Sequence, residues 1–153
     1  MRHLPRLVIG ALVGYTSSRV MDAATSRYYA VQSQESRDRE EEIAPGGSLV
    51  AVGQQIGDVF GRDLTPEQAG RVGLAVHRTL GTSYGVMAAV LAGRGVRPIV
   101  AGPAVGMTAW LLVDEGLSLP TFTQYMRQSH IRGLIGHGTW GVSAGILLTL
   151  ASR

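Results

Sequence analysis

Residues 73–85 read GLAVHRTLGTSYG and residues 133–145 read GLIGHGTWGVSAG, and the two align without a gap. They share Gly73/Gly133, Leu74/Leu134, His77/His137, Thr79/Thr139, Gly81/Gly141, Ser83/Ser143 and Gly85/Gly145. In each copy Gly, His, Gly and Gly recur every fourth residue, which puts them on one face of a helix. A side-chain-poor face with a single imidazole has little use in water. It suits two helices that pack closely in lipid, where missing side chains let backbones approach.

Composition fits that environment. Charged residues make up 16% of the 153-residue chain and hydrophobic residues 45%, against roughly 25% charged in ordinary soluble domains. There are 21 glycines, and transmembrane helices use glycine more freely than soluble ones. The chain has no cysteine, which removes disulfides, thiolate metal sites and cysteine nucleophiles. All 14 basic residues are arginine; they are scattered, with no basic-aromatic patch, so nucleic acid is not an expected partner.

Four apolar stretches predict an all-α, polytopic membrane four-helix bundle, a single domain over residues 1–153, with spans at about 5–25, 69–92, 98–113 and 129–150. Thr65 reads as an N-cap before Pro66 at the start of the second. A loop containing Pro120 separates the third from the fourth. The stretches are interrupted by Arg19, His77, Arg78 and His137, so a soluble bundle of very apolar helices is the competing architecture. Arg2, Arg6, Arg94, Arg97 and Arg153 fall on one side of such a bundle, and all 11 acidic residues fall on the other or at the span ends beside it. By the positive-inside rule both termini are cytoplasmic and the long loop is outside. Arg2 and Arg6 before a short apolar run would also fit a signal peptide, but no A-x-A site follows.

The first and third stretches correspond in turn: Gly10/Gly102, Val13/Val105, Gly14/Gly106, Thr16/Thr108 and Asp22/Asp114 coincide. The expected architecture is thus two repeated helical hairpins in parallel orientation. GxxxG-type pairs for packing occur in every span: Gly10/Gly14, Gly81/Gly85, Gly102/Gly106 and Gly141/Gly145. Residues 26–68 form the extramembrane loop. Within it Ser33–Glu42 is a charge-dense, solvated stretch, and Ser48–Phe60 has the spacing of an amphipathic helix on the membrane surface or capping the bundle.

Ionisable groups inside a membrane are costly and pair with one another. His77, His137, Asp22, Asp114, Arg19 and Arg78 form the candidate proton or solute site, with Arg19 or Arg78 expected to neutralise Asp22 or Asp114; Arg132 lies at similar depth. The aspartates are expected more than a turn shallower than the histidines, which disfavours a metal site of the four. The histidines read as structural hydrogen-bonders or as a proton-responsive or solute-binding pair, imidazole being the side chain that titrates near neutrality. Haem b held by His77 and His137 as axial ligands is the sharpest alternative. No cofactor and no metal are expected otherwise. Catalysis has no foothold: there is no nucleophile elbow and no phosphate-cradling loop.

The segment GHGTWG at Gly136–Gly141, with HRTLGTSYG at His77–Gly85 and the long first loop, resembles the YagU-type family of bacterial inner-membrane proteins. His77, Gly136, His137 and Trp140 match its pattern, and Arg78 beside His77 departs from it. The resemblance implies a small inner-membrane protein associated with acid tolerance and without established catalysis. The bilayer is then its first partner, with a homo-oligomer or a larger membrane complex, as an accessory interaction subunit, also open.

Overall fold

A computed structural model describes residues 3–117 and 127–152, all helical apart from short connections. The Pro120 loop, Arg2 and Arg153 lie outside the described residues. Helix α1 runs over His3–Ala30, α2 over Gln34–Ile43, α3 over Ser48–Val59, α4 over Pro66–Gly93, α5 over Pro98–Ala109 and α6 over Arg127–Ala151. From Trp110 to Leu117 the chain continues α5 as a π-helix.

The start of α4 is fixed by local chemistry. Thr65 Oγ1 accepts from the Gln68 amide at 3.3 Å, and Gln68 Oε1 accepts from the Thr65 amide at 2.9 Å, a reciprocal capping box with Pro66 in the first turn. Gly95, at φ +97°, then turns the chain into Pro98 at the start of α5.

Two expected boundaries are corrected. The first helix does not stop near Thr25 but continues to Ala30, and the third does not end at Val113 but widens into the π segment. The charge-dense stretch is helix α2, capped by Ser33, whose hydroxyl accepts from the Ser36 amide at 3.2 Å. The amphipathic helix α3 packs on the first turns of α4. A β-carbon at Gly53 would strike the Ala69 carbonyl, and one at Gly73 the Leu49 carbonyl.

Helices α1, α4, α5 and α6 enclose a square. α1 packs on α4 and α6, α5 packs on α6 and α4, and α4 faces α6 across one diagonal. Both hairpins close through glycine. A β-carbon at Gly10 would lie 2.9 Å from the Gly85 carbonyl oxygen, and one at Gly106 would lie 2.6 Å from that of His137. The two contacts differ in register: Gly14 sits against Gly81 and Gly85, whereas Gly106 sits one turn further along, against His137 and Gly141.

Gly145 is buried against α5, with more room than the other paired glycines. The backbone of Gly102 approaches it, since a β-carbon on Gly102 would stand 2.5 Å from the Gly145 nitrogen and would strike the Gly141 carbonyl. A β-carbon on Gly145 itself would keep 3.1 Å from the Pro98 carbonyl oxygen and 3.2 Å from the Ile99 Cα. Its missing side chain points at the first turn of α5 and the Pro103 ring, away from the closest approach of the two helices. Alanine would fit there after a shift of a few tenths of an ångström, whereas at Gly85, its counterpart in the first hairpin, the obstacle is the backbone of Gly10 and Gly14. Gly145 therefore packs on α5 less tightly than Gly85 packs on α1, and the register offset between the two helix pairs accounts for the difference.

What the helices bury is small. The core comprises Val13, Ala88, Ala89, Val105, Ala144 and Leu148 around one large residue, Trp140. Trp140 packs edge-on to Tyr84, with ring centroids 6.0 Å apart. Its indole Nε1 donates to the Gly14 carbonyl at 3.2 Å, an oxygen that also accepts from the Ser18 hydroxyl at 3.0 Å. Bulky apolar side chains, among them Leu12, Met87, Val100, Leu112, Ile146 and Leu150, point outward. Among the described helices, α6 is the one long and apolar enough to cross a membrane by length and composition.

Candidate functional site

Each aspartate bonds the histidine of its own hairpin. Asp22 on α1 lies 3.0 Å from His77 Nε2 on α4, and Asp114 in the π segment lies 3.2 Å from His137 Nε2 on α6. The spacing along the chain puts the aspartates shallower than the histidines, but side-chain direction removes the difference. Cα–Cβ bonds tilt toward a helix's N-terminus. In an antiparallel pair, the aspartate therefore leans into the bundle while the histidine leans toward its open end, and the two groups meet. The Cα separation alone is misleading here.

The two pairs differ in their cations. Arg78 Nη2 donates to Asp22 Oδ2 at 2.5 Å, while its guanidinium lies 5.8 Å from the centroid of the Tyr15 ring. Arg19, the other expected partner, is exposed and bonds neither aspartate. Ser18 is the buried residue facing α4, which turns Arg19 about 100° away around the helix. At the position corresponding to Arg78 the second hairpin has Gly138, where a β-carbon would meet nothing within 4 Å. Asp114 thus has an imidazole and no guanidinium.

Both pairs stand in the wall of one cavity of about 470 Å³ bounded by α1, α3, α4, the π segment and α6. Met21, Leu49, Val52, Leu74, Leu80 and Val113 give it apolar walls, and Ser26, Ser48 and Ser129 add hydroxyls. A second chamber of about 70 Å³, also walled by His77, Asp114 and His137, leads to Tyr84 and Trp140. The volume lies in the range of small-molecule pockets, which are mostly apolar with a few placed polar groups.

Glu115, His130 and Glu40 escaped the sequence reading, which placed Arg132 at the depth of the site without a partner. Glu115 accepts from or donates to His130 Nδ1 at 2.8 Å according to protonation state. Arg132 donates to Glu40 of α2 at 2.6 Å and lies 5.3 Å from the Tyr29 ring centroid. Glu40 also takes the Gln32 amide and the Ser129 hydroxyl, each at 3.3 Å. This glutamate is only 10% exposed, so α2 is a strap anchored to α6 rather than a free acidic helix. Ser36 and Glu40, one turn apart and both inward, carry the signal that a scan for charge alone overlooks.

Haem held by His77 and His137 would compete with the two aspartates for the imidazoles. Both Nε2 atoms are committed to carboxylates, and bis-histidine ligation through them would break both pairs. Among the described residues, no group of three or more His, Cys, Asp or Glu is placed to hold a metal ion. Compared with protein-family models, curated proteins and solved structures, the chain matches none.

Proposed function

We propose that this is a small, non-enzymatic inner-membrane protein of the YagU type. In this reading two related hairpins cross the bilayer four times with both termini in the cytoplasm. The cavity, on the outer side, is a proton-responsive site for a small solute. The observation that carries the proposal is the pair of Asp–His contacts facing one cavity. Adding a proton to either imidazole turns its hydrogen bond to an ionised carboxylate into an ion pair and strengthens it. Acid then tightens α1 to α4 and α6 to the π segment at the cavity wall. That is a direct physical link between external proton concentration and the shape of a ligand site.

The membrane part is supported by where the bulk lies. A water-soluble bundle buries its large aliphatic side chains, whereas this one buries alanine, glycine and serine and turns leucine, isoleucine and methionine outward. Charge supports the orientation. Arg6, Arg94 and Arg97 stand at one end of the square without an acidic side chain among the described residues, and Asp22, Glu40, Asp114 and Glu115 stand at the other together with Arg78 and Arg132; the acid-free end is the one read as cytoplasmic.

Orientation has a clean test because the native chain has no thiol. Glu42→Cys, in the outer strap, is expected to react with a membrane-impermeant maleimide in intact cells. Arg94→Cys is expected to react only after permeabilisation. The reverse pattern would invert the topology, and two reactive sites in intact cells would remove the four-span reading.

The site itself is tested by replacing His77 and His137 together with glutamine. The double variant is expected to keep its helical circular dichroism and its elution volume in detergent. Its proton uptake on acidification is expected to fall below that of the unaltered chain. An unchanged uptake curve would end the proton-site reading.

A further inference from the structure

The geometry points to an organic cation as the solute, an ammonium group seated against Asp114 and Glu115 where the second hairpin lacks an arginine. This inference rests on the cavity being a solute site, as proposed above, and adds the chemistry of its ligand.

The first observation is a charge imbalance. Four carboxylates line the cavity or bond a residue that does: Asp22, Glu40, Asp114 and Glu115. Arg78 offsets Asp22, and Arg132 offsets Glu40. Asp114 and Glu115 are paired with His137 and His130 alone, so neutral imidazoles leave two negative charges uncompensated. The stretch 118–126 contains no charged residue that could alter this balance. Uncompensated carboxylates in a partly desolvated pocket favour either a proton or a cation.

The second observation is room. Arg78, the residue after His77, supplies a cation to Asp22, whereas Gly138, the residue after His137, lines neither chamber and supplies none to Asp114. The Asp114 carboxylate is 38% exposed, against 10% for its partner His137, so an oxygen is open to the cavity.

The third is the character of the walls. The main chamber is apolar, and Tyr84 and Trp140 close the inner one beside Asp114. Aliphatic walls suit an ammonium carried on a hydrocarbon rather than a hydrated metal ion. The titratable groups facing Asp114 are His137 from α6 and His77 and Tyr84 from α4, and Glu115 faces His130. Protons on His137 and His130 supply the same charge as the ligand. Cation and protons therefore exclude each other, and acid releases the solute.

An alkylammonium can come from a free amine or from the ethanolamine headgroup of a phospholipid. The test titrates lipid-stripped, detergent-solubilised full chain with hexylammonium, with hexanoate as the anionic match, and with lysophosphatidylethanolamine. Saturable binding of hexylammonium but not hexanoate is expected, weakening as the pH falls from about 8 to about 5. Binding of the lysolipid alone would also bear the inference out and would identify the headgroup as the source.

Asp114→Asn combined with Glu115→Gln is expected to weaken hexylammonium roughly 10- to 100-fold, the loss of charged hydrogen bonds. Gly138→Arg should do the same by placing an internal cation beside Asp114, while Gly138→Gln should leave binding nearly unchanged. Undiminished affinity in the double carboxylate variant would overturn the inference. So would binding of hexanoate in place of hexylammonium, although the cavity would then still be a solute site. Failure of all three probes would also overturn it, and the proton uptake of the His77/His137 variant would then decide whether the site reading survives.

Discussion

Replacing Gly85 with leucine is expected to prevent the bundle from assembling. A β-carbon there would stand 2.5 Å from the Gly14 nitrogen, and would strike the Gly10 carbonyl and the Gly14 Cα as well. All three obstacles are backbone, so no rotamer change relieves the clash. Overpacking against yielding side chains costs about 1–3 kcal/mol; forcing two helix axes apart along their length costs more, because the contacts of Gly10 with Val86 and Ala89 go too. Expression with a polydisperse elution profile and loss of thermal cooperativity is the expected readout. A grading with obstacle type is expected alongside it. At Gly81 the nearest atom is the Ser18 hydroxyl, a side chain that can turn, so Gly81→Ala should be tolerated better than Gly85→Ala. Gly145→Ala, with the loosest surroundings of the paired glycines, should be tolerated best. If Gly85→Leu gives a monodisperse, cooperatively melting protein, glycine contact is not what holds α1 to α4.

Trp140→Ala is expected to be the most damaging side-chain truncation. Trp140 is 1% exposed and is the largest fully buried side chain of the described residues. Removing a buried tryptophan or phenylalanine costs about 3–5 kcal/mol in water-soluble proteins. In lipid the alternative environment is also apolar, which leaves mainly the lost packing and puts the expectation near about 3 kcal/mol. Trp140→Phe keeps most of the ring but loses the bond to the Gly14 carbonyl, and should cost about 1 kcal/mol. Denaturation in mild detergent measures both. Equal effects from the two variants would mean that the indole N–H, rather than the ring, is what α1 requires.

Where the sequence carried local chemistry, the fold was legible. Thr65, Pro66 and Gln68 fix the start of α4, and the apolar spacing of residues 48–60 marks α3 to within one residue. The π segment was not legible, because WLLVDEGL has no side chain that marks a widened turn and resembles the end of an α-helix. In the site, the sequence brought His77, His137, Asp22 and Asp114 forward as one group but could not choose between Arg19 and Arg78. That choice depends on which side of α1 faces a neighbour, and only the burial of Ser17 and Ser18 decides it. Glu40 was hidden in a run of acids, since tertiary anchoring of one carboxylate leaves no trace in charge density. The register offset between the hairpins was also out of reach, and with it the looser setting of Gly145. The π turn advances less per residue than an α turn, and it brings Asp114 back within reach of His137 although Gly106 packs one turn further along than Gly14.

That widened turn has an outcome for the surrounding lipid. The 12 residues of α5 rise about 18 Å, and the eight π residues after them rise less than α-helical residues would, so the described part of this wall, to Leu117, spans less than the roughly 30 Å of an average hydrocarbon layer. The 28-residue α1 and α4 reach about 42 Å each and exceed it. In a bilayer the acyl chains beside α5 must compress or the whole bundle must lean, at a cost that grows with membrane thickness. In the four-span reading proposed above, a protein so lopsided would sort toward thin membranes and away from thick, sterol-rich ones.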